Sequence, residues 1–169
     1  MNTISIFCFV TLVSIGLSQI PHVQGDLISN ACSKALYKDL CEKTLRADPS
    51  SGSATLGGLA KIALQAAASS AKNTQAQITS LLKTATDKSV IAALKDCSDN
   101  YDSANEELGD SLKAIDAKHY DDVKTWVSAS MTDGDSCQSG FKGSSPLTQA
   151  NTKFSQLCSN VLALTNQLG

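Results

Sequence analysis

Several residue patterns are missing from this chain, and each missing pattern excludes a class of protein. After residue 25 no segment is apolar enough to span a bilayer, because a membrane helix needs roughly 20 apolar residues. The charges nearly balance, with 14 basic and 16 acidic side chains, so a nucleic-acid partner is not expected. No run of β-branched residues alternates with polar ones, so the sequence predicts no β-sheet.

Catalytic and metal-binding motifs are missing as well. His119 is the one histidine after residue 25, and a solvated position between two helices is the simplest interpretation of it. The chain has no G-x-S-x-G, C-x-x-C or H-E-x-x-H, so neither a hydrolase triad nor a zinc site is predicted. The acidic stretch at 133–136 lacks the remaining ligands of a calcium loop. We therefore expect no enzyme activity and no cofactor.

The first 25 residues have the pattern of a secretory signal peptide. An apolar run covers Ile4 to Leu17, which suits a signal core but is short for a membrane span. Val23 and Gly25 supply small residues at positions −3 and −1 of a cleavage point before Asp26. The start carries no Lys or Arg, so an uncleaved signal anchor is the alternative. The remaining chain of about 144 residues is a normal size for one domain, with no membrane attachment.

The apolar residues of this domain recur with the period of an α-helix. Their spacing predicts an all-α fold, in which four main helices form an up-and-down bundle preceded by a small helical piece. The expected inner positions are Leu59, Ile62, Ala66, Leu81, Leu82 and Ala85; Ile91, Leu94, Tyr101, Ala104, Leu108, Leu112 and Ile115; Val123, Trp126, Val127 and Met131; and Phe154, Leu157, Val161, Leu164 and Leu168.

The cysteine count predicts cross-links. In an oxidising compartment the five cysteines that follow residue 25 imply two disulfides and one leftover thiol. Cys32 and Cys41 would lie roughly 13.5 Å apart in a straight helix, whereas a disulfide needs Cα atoms within about 7 Å. If they pair, residues 33–40 must reverse direction. Pairing Cys97 with Cys137 then completes one of three arrangements, among which spacing does not choose. The cysteines after residue 25 are Cys32, Cys41, Cys97, Cys137 and Cys158.

One polar stripe runs along the helix predicted around residues 91–115. Asp99, Ser103, Glu106 and Asp110 advance by four, three and four residues, so they share the side of the helix away from its apolar face. A solvated acidic face is the simpler interpretation of this stripe. The alternative is a recognition surface that presents carboxylates and hydroxyls to a partner.

Longer stretches of the chain resemble a known family. "ACSKALYKDLCEKTLRADP", "LKDCSDNY", "YDDVKTWVSASMTDGDSCQSGF", "SPLT" and "QLCSNVLALTNQL" are similar to the plant invertase and pectin methylesterase inhibitors. The resemblance implies a helical hairpin over 26–50, a four-helix bundle over 55–169, and disulfides Cys32–Cys41 and Cys97–Cys137. It also implies a secreted protein inhibitor without catalytic activity, located in the apoplast or the vacuole.

Two features favour the pectin methylesterase branch of that family. Members of this branch commonly keep a fifth, unpaired cysteine on the last helix, and Cys158 matches it. Studied invertase inhibitors resemble one another in a Pro-Lys-Phe motif, where this chain has Tyr120, Asp121 and Asp122. Inhibition of cell-wall or vacuolar acid invertase is the alternative function. A small-ligand carrier is a second alternative, although the chain has no excess of large apolar residues.

The resemblance also implies a contact surface on the helix of residues 91–115 and on the helix that follows it. In the family these helices lie across the carbohydrate cleft of pectin methylesterase and cover its catalytic aspartates. Ser103 and His119 stand where a relative has aspartate, and Ser136 replaces the usual threonine, so recognition of particular isoforms is expected to differ. Acidic contacts are expected to favour binding at mildly acidic pH. The expected contact residues are Asp99, Ser103, Glu106, Asp116, His119, Lys124, Thr132 and Ser136.

Overall fold

Six α-helices and one short 3₁₀ helix form the part of the chain that the structure, a computed structural model, describes: residues 22–169. These residues contain no β-strand, so the all-α prediction is confirmed. Residues 1–21, most of the predicted signal peptide, lie outside the described part, and cleavage before Asp26 stays a prediction. The helices are α1 (His22–Cys32), α2 (Lys38–Ala47), the 3₁₀ helix (Pro49–Ser53), α3 (Leu56–Thr84), α4 (Lys88–Asp116), α5 (Tyr120–Ser139) and α6 (Thr148–Thr165).

Helices α3 to α6 form the predicted four-helix bundle. Each of them packs against two others, α3 against α4 and α6, and α5 against α4 and α6. The connections between consecutive helices are short, so neighbours in the chain run antiparallel. The arrangement places α4 beside α5 along their whole shared length, and these two helices carry most of the expected contact residues.

Side-chain caps define where the two longest helices begin. The hydroxyl of Thr55 accepts a hydrogen bond from the Gly58 amide at 3.3 Å, which satisfies a free donor at the start of α3. The carboxylate of Asp87 accepts from the amides of Ser89 at 2.8 Å and Val90 at 3.1 Å at the start of α4. The break between α3 and α4 is therefore encoded locally.

The bundle core is centred on two aromatic rings. The Tyr101 and Phe154 rings lie 5.4 Å apart between centroids, and both side chains are fully buried. The Tyr101 hydroxyl donates to Oδ1 of Asn151 at 2.9 Å, which satisfies its polar end inside the core. Most of the expected inner positions are buried, but those at helix ends or at the edges of a stripe are only half-buried, because no neighbouring helix covers them completely. The half-buried ones are Ala66, Leu81, Leu82, Ala85, Ile91, Leu112, Trp126, Met131 and Leu168.

The N-terminal helices form a hairpin that lies against the bundle. The chain reverses between α1 and α2, and a disulfide joins Cys32 to Cys41 with their Cα atoms 5.8 Å apart. This is the pairing that the resemblance implies. The hairpin contacts α3 and α6, and the amide of Asn160 on α6 donates to the Tyr37 carbonyl at 3.1 Å. Short helices are marginal alone, so the disulfide and these contacts hold the hairpin in place.

Candidate functional site

Two contacts fix the register between α4 and α5. A disulfide joins Cys97 to Cys137 with their Cα atoms 4.5 Å apart, again as the resemblance implies. Two turns further along, the Ser130 hydroxyl lies 3.4 Å from the Ala104 carbonyl oxygen. The two contacts are separated by seven residues on each helix, so the pairing of residues between the two antiparallel helices has the same register at both contacts. Each residue of displacement corresponds to about 1.5 Å along the axis.

This register brings five of the expected contact residues into one stretch of the α4–α5 pair, about 12 Å long along the axis. Ser136 comes level with Asp99, and Thr132 comes level with Ser103, each within one residue. Glu106 follows Ser103 by one turn on the same side of α4. All five side chains are exposed. We call this surface of Asp99, Ser103, Glu106, Thr132 and Ser136 the contact face.

The carboxylates of the contact face have no internal counter-charge. Among residues 22–169, neither Asp99 nor Glu106 takes part in an ion pair. The hydroxyls of Ser103 and Thr132 donate to carbonyls of their own helices, at 3.3 Å and 3.1 Å. The face therefore offers acidic and hydroxyl oxygens to an external partner without first breaking a tertiary contact.

Asp116 does not belong to the contact face. It is the last residue of α4, 17 residues or about 25 Å along the axis from Asp99. Its carboxylate lies 2.6 Å from the Lys61 ammonium of α3. This side chain therefore points toward α3 rather than toward α5, and it ties the end of α4 to α3.

His119 and Lys124 lie at the start of α5, also apart from the contact face. The His119 ring nitrogen Nδ1 is 3.8 Å from the Asp122 carboxylate, and the ring is largely exposed, as expected. Lys124 lies 2.6 Å from Asp121 and 3.4 Å from the carbonyl oxygen of Gly169. The hydrogen bond from Lys124 holds the pKa of Asp121 below its usual range. These groups lie together at one end of the bundle, and their polar contacts are mainly with neighbours on the same helix.

The sequence of the domain matches one protein family along almost its whole length. Residues 26–164 match the family described as plant invertase/pectin methylesterase inhibitor. The chain belongs to this family. The family consists of protein inhibitors of enzymes, so this inhibitor-family chain is not itself an enzyme. Its partner class is a protein enzyme, either pectin methylesterase or invertase.

Named relatives include inhibitors of both enzyme types. A pectinesterase inhibitor from Actinidia deliciosa is 34% identical, over 90% of this chain and 85% of that protein. A cell wall / vacuolar inhibitor of fructosidase 1 from Arabidopsis thaliana is 33% identical, over 82% of this chain and 66% of that protein. A crystal structure of a mutant form of a pectin methylesterase inhibitor from Arabidopsis has a TM-score of 0.74 at 23% identity. That match covers 84% of this chain and 97% of the crystallised one, and it establishes the fold.

Two further observations concern membrane-spanning helices and the remaining cysteine. Among residues 22–169 no helix is both long and apolar enough to cross a membrane. Cys158 forms no disulfide in this part of the chain and is fully buried in the inhibitor's core. Burial raises the pKa of the Cys158 thiol to about 12, so the thiol stays protonated and unreactive.

A polar cluster between α4 and α5 was not predicted from the sequence. The hydroxyl of Ser130 lies 3.0 Å from Oε2 of Glu107, and Asp133 interacts with Glu107 across the same junction. Burial raises the pKa of both carboxyl groups. The signal available in the sequence was the helical spacing of Ser130 and Asp133, but only the register of the two helices brings Glu107 to them.

The carrier alternative gains no support from the interior. Fully buried side chains such as Tyr101 and Phe154 fill the space between the helices. A depression of about 320 Å³ lies between α3 and α6, on the side of the bundle away from the contact face, but it is open to solvent. Polar residues such as Ser69, Asn73 and Lys153 line it together with apolar ones, whereas a carrier for an apolar ligand needs an apolar enclosure.

Proposed function

We propose that this protein inhibits pectin methylesterase by covering the enzyme's pectin-binding cleft in a one-to-one complex. The observation that carries the proposal is the contact face. Five exposed acidic and hydroxyl side chains from two neighbouring helices lie within about 12 Å along the bundle axis. Within residues 22–169 neither carboxylate takes part in an ion pair. Such a surface can block a cleft by occupation alone, which requires no chemistry from the inhibitor.

The rigidity of the face supports tight binding. Association is weakened when loops and side chains must become ordered in the complex. Here the contact residues lie on two packed helices, and the Cys97–Cys137 disulfide joins these helices directly behind Ser136. The backbone is therefore already held in its binding arrangement, and only surface side chains need to adjust.

The charge of the face supports recognition of a polar cleft. A carbohydrate-binding cleft contains hydrogen-bond donors that must remain paired when it is covered. The carboxylates of Asp99 and Glu106 accept such hydrogen bonds, and the hydroxyls of Ser103, Thr132 and Ser136 both donate and accept them. Complementary charge also speeds association and excludes wrong partners more than it raises affinity.

Pectin methylesterase is favoured over invertase by two features of the chain. The Pro-Lys-Phe motif of studied invertase inhibitors is replaced by Tyr120, Asp121 and Asp122, and the first turn of α5 is acidic. By the family resemblance, Cys158 matches the unpaired cysteine that is common in the pectin methylesterase branch, and it forms no disulfide within residues 22–169. The similarity to an inhibitor of fructosidase makes acid invertase the second target to test.

The proposed location is the apoplast, reached through the secretory pathway. Two disulfides require an oxidising compartment to form and persist. The predicted signal peptide supplies the route, and the vacuole is the corresponding location for an invertase inhibitor. Both compartments are represented in the name of the related fructosidase inhibitor.

The experiment is a titration of the purified protein against a plant pectin methylesterase and an acid invertase under the same buffer conditions. We expect saturable inhibition of pectin methylesterase that reaches its limit at one inhibitor per enzyme, with no effect on invertase. Inhibition of invertase alone would replace the proposed target by the second one. No inhibition of either enzyme by a folded, correctly cross-linked sample would contradict the proposal.

A further inference from the structure

Two carboxyl groups, those of Glu107 and Asp133, interact at the junction between α4 and α5. Glu107 projects from α4, and Asp133 and the fully buried Ser130 project from α5. Oδ2 of Asp133 is buried and has no hydrogen-bond partner among the described residues. We call Glu107, Ser130 and Asp133 the seam. A buried, unpartnered oxygen on one of two interacting carboxyl groups is unfavourable when both groups are ionised.

Among residues 22–169 the one side-chain donor to the seam's carboxyl groups is the Ser130 hydroxyl. The Ser130 hydroxyl carries one proton, but three acceptors lie within reach: Oε2 of Glu107 at 3.0 Å, the Trp126 carbonyl at 2.9 Å and the Ala104 carbonyl at 3.4 Å. A single proton bound between the two carboxyl groups would supply a further donor. It also removes the repulsion between them.

Within residues 22–169 no cation relieves the seam either. Burial is the main cause that raises the pKa of Glu107 and of Asp133, and the other side chains that affect these pKa values are Ser130 and the two carboxyl groups themselves. No other charged side chain of α3, α4, α5 or α6 contributes to these two pKa values; this includes Lys61, Lys72 and Lys83 on α3, Glu106, Asp110 and Lys113 on α4, Asp135 on α5 and Lys153 on α6.

We propose that Glu107 and Asp133 share one proton in a hydrogen bond that joins α4 to α5 at acidic pH and is lost as the pH rises. Glu107 directly follows Glu106, and Asp133 directly follows Thr132, so the bond links the two segments that carry the contact face. The pair acts as a positioning device for that face. The effect of this positioning on enzyme inhibition rests on the proposed function, whereas the shared proton itself does not.

The sign of the pH effect follows from the direction of the shifts. A carboxyl group with a raised pKa in the folded protein binds more protons there than in the unfolded chain. The free energy of unfolding therefore falls as the pH rises from the ordinary carboxyl range through the folded pKa of the pair. At pH values below the ordinary carboxyl range, the two groups are protonated in both the folded and the unfolded protein. Their contribution to the free energy of unfolding is then independent of pH.

The shared proton is tested by NMR titration of the side-chain carboxyl carbons in the purified full chain. We expect the signals of Glu107 and Asp133 to follow the same two steps, with the upper step above the usual carboxyl range. Substitution Asp133→Asn should leave Glu107 with one step, displaced to lower pH. Independent titration of both groups at ordinary values would overturn the proposal, as would a Glu107 curve that D133N leaves unchanged.

Thermal unfolding gives a second, independent readout. Between about pH 5 and about pH 7.5 the wild type should lose thermal stability. Glu107→Gln should remove the seam's share of this loss, because its amide can donate to Asp133 at both pH values. Asp96→Asn is the matched control on the exposed side of α4, and it should follow the wild type. An E107Q profile parallel to that of the wild type would contradict the shared proton.

The positioning role is tested by the inhibition constants of E107Q and the wild type for the same pectin methylesterase at both pH values. Because the enzyme is common to both measurements, its own pH dependence cancels in their ratio. We expect this ratio to shift severalfold in favour of E107Q at the higher pH. A ratio that does not change would refute the positioning role. A complete lack of inhibition would refute the proposed function, while the NMR result would still decide the shared proton.

Discussion

Gly134 is a point of close approach between α5 and α6, and replacing it with alanine gives a sharp prediction. A Cβ atom at this position would lie 2.8 Å from Cδ1 and 3.1 Å from Cε1 of Phe154. The Phe154 ring is fully buried and packs against Tyr101, so it has no free space into which to move. Overpacking of this kind typically costs about 1–3 kcal/mol.

An opposing effect must be subtracted from that cost. Alanine is favoured over glycine in a helix interior by about 1 kcal/mol. Gly134→Ala should therefore lower the free energy of unfolding by about 1 kcal/mol, which corresponds to a Tm lower by about 2–4 °C. At Gly109, inside α4, a Cβ atom would meet no neighbouring atom within 4 Å. Gly109→Ala should consequently raise the free energy of unfolding by about 1 kcal/mol.

The assay is urea and thermal unfolding of both variants followed by circular dichroism, with the disulfides intact. The two substitutions are chemically identical and both lie within long helices, so the comparison isolates the contact with Phe154. Opposite signs are expected, with a difference of about 2 kcal/mol between the variants. The reasoning would be refuted if Gly134→Ala raised the Tm as much as Gly109→Ala does.

Two further predictions concern the cross-links and the start of α4. Replacing Cys97 and Cys137 by alanine should lower the free energy of unfolding by about 4 kcal/mol, because this disulfide closes a loop of 40 residues. Replacing Cys32 and Cys41 should lower it by about 2.5 kcal/mol, because their loop spans 9 residues. Equal losses in urea unfolding would contradict this order. Hydrogen bonds from a neighbouring hydroxyl and from backbone amides hold the pKa of Asp87 below its usual value, so its stabilisation is lost as the pH falls through that pKa. Asp87→Asn keeps a capping acceptor that does not titrate, so the Tm of this variant should depend less on pH in the acidic range than the Tm of the wild type. An equal dependence of Tm on pH in both proteins would exclude a stabilising role for the ionised Asp87 cap.

The sequence predicted the bundle because its determinants are local. On α4, Leu94, Tyr101, Ala104 and Leu108 repeat with the helical period, and all four are buried. The core of α3 was harder to predict, because its inner side is formed largely by alanines whose neighbours on the helix are also alanines. Alanines on several sides of a helix do not show which side faces the core. The packing of α4 and α6 against α3 decides which of these alanines are buried.

The contact face was predicted only in part from one helix. The stripe of Asp99, Ser103 and Glu106 follows from helical spacing, and its neighbour Ser136 was reached through the family resemblance. The position of these residues beside one another depends on the register of α4 and α5, which no pattern within a single helix specifies. For the same reason, the contact between Asp116 and Lys61, 55 residues apart in sequence, could not be predicted.

The central claim is that the contact face, and no other surface, engages the enzyme. It is tested most directly by comparing two triple variants in titrations against pectin methylesterase. The first is Asp99→Asn, Glu106→Gln and Ser136→Ala on the face. The second removes the same number of carboxylates and one further polar side chain elsewhere. It combines Asp39→Asn and Glu42→Gln on α2 with Asn73→Ala on α3.

Both triple variants should fold, because the substituted side chains are polar and none is buried. Glu42 pairs with Arg46 near the surface, an interaction that contributes little to stability. The account predicts that the first variant loses inhibition with an unchanged circular dichroism spectrum, and that the second inhibits like the wild type. Full inhibition by the first variant, or equal losses in both, would contradict it.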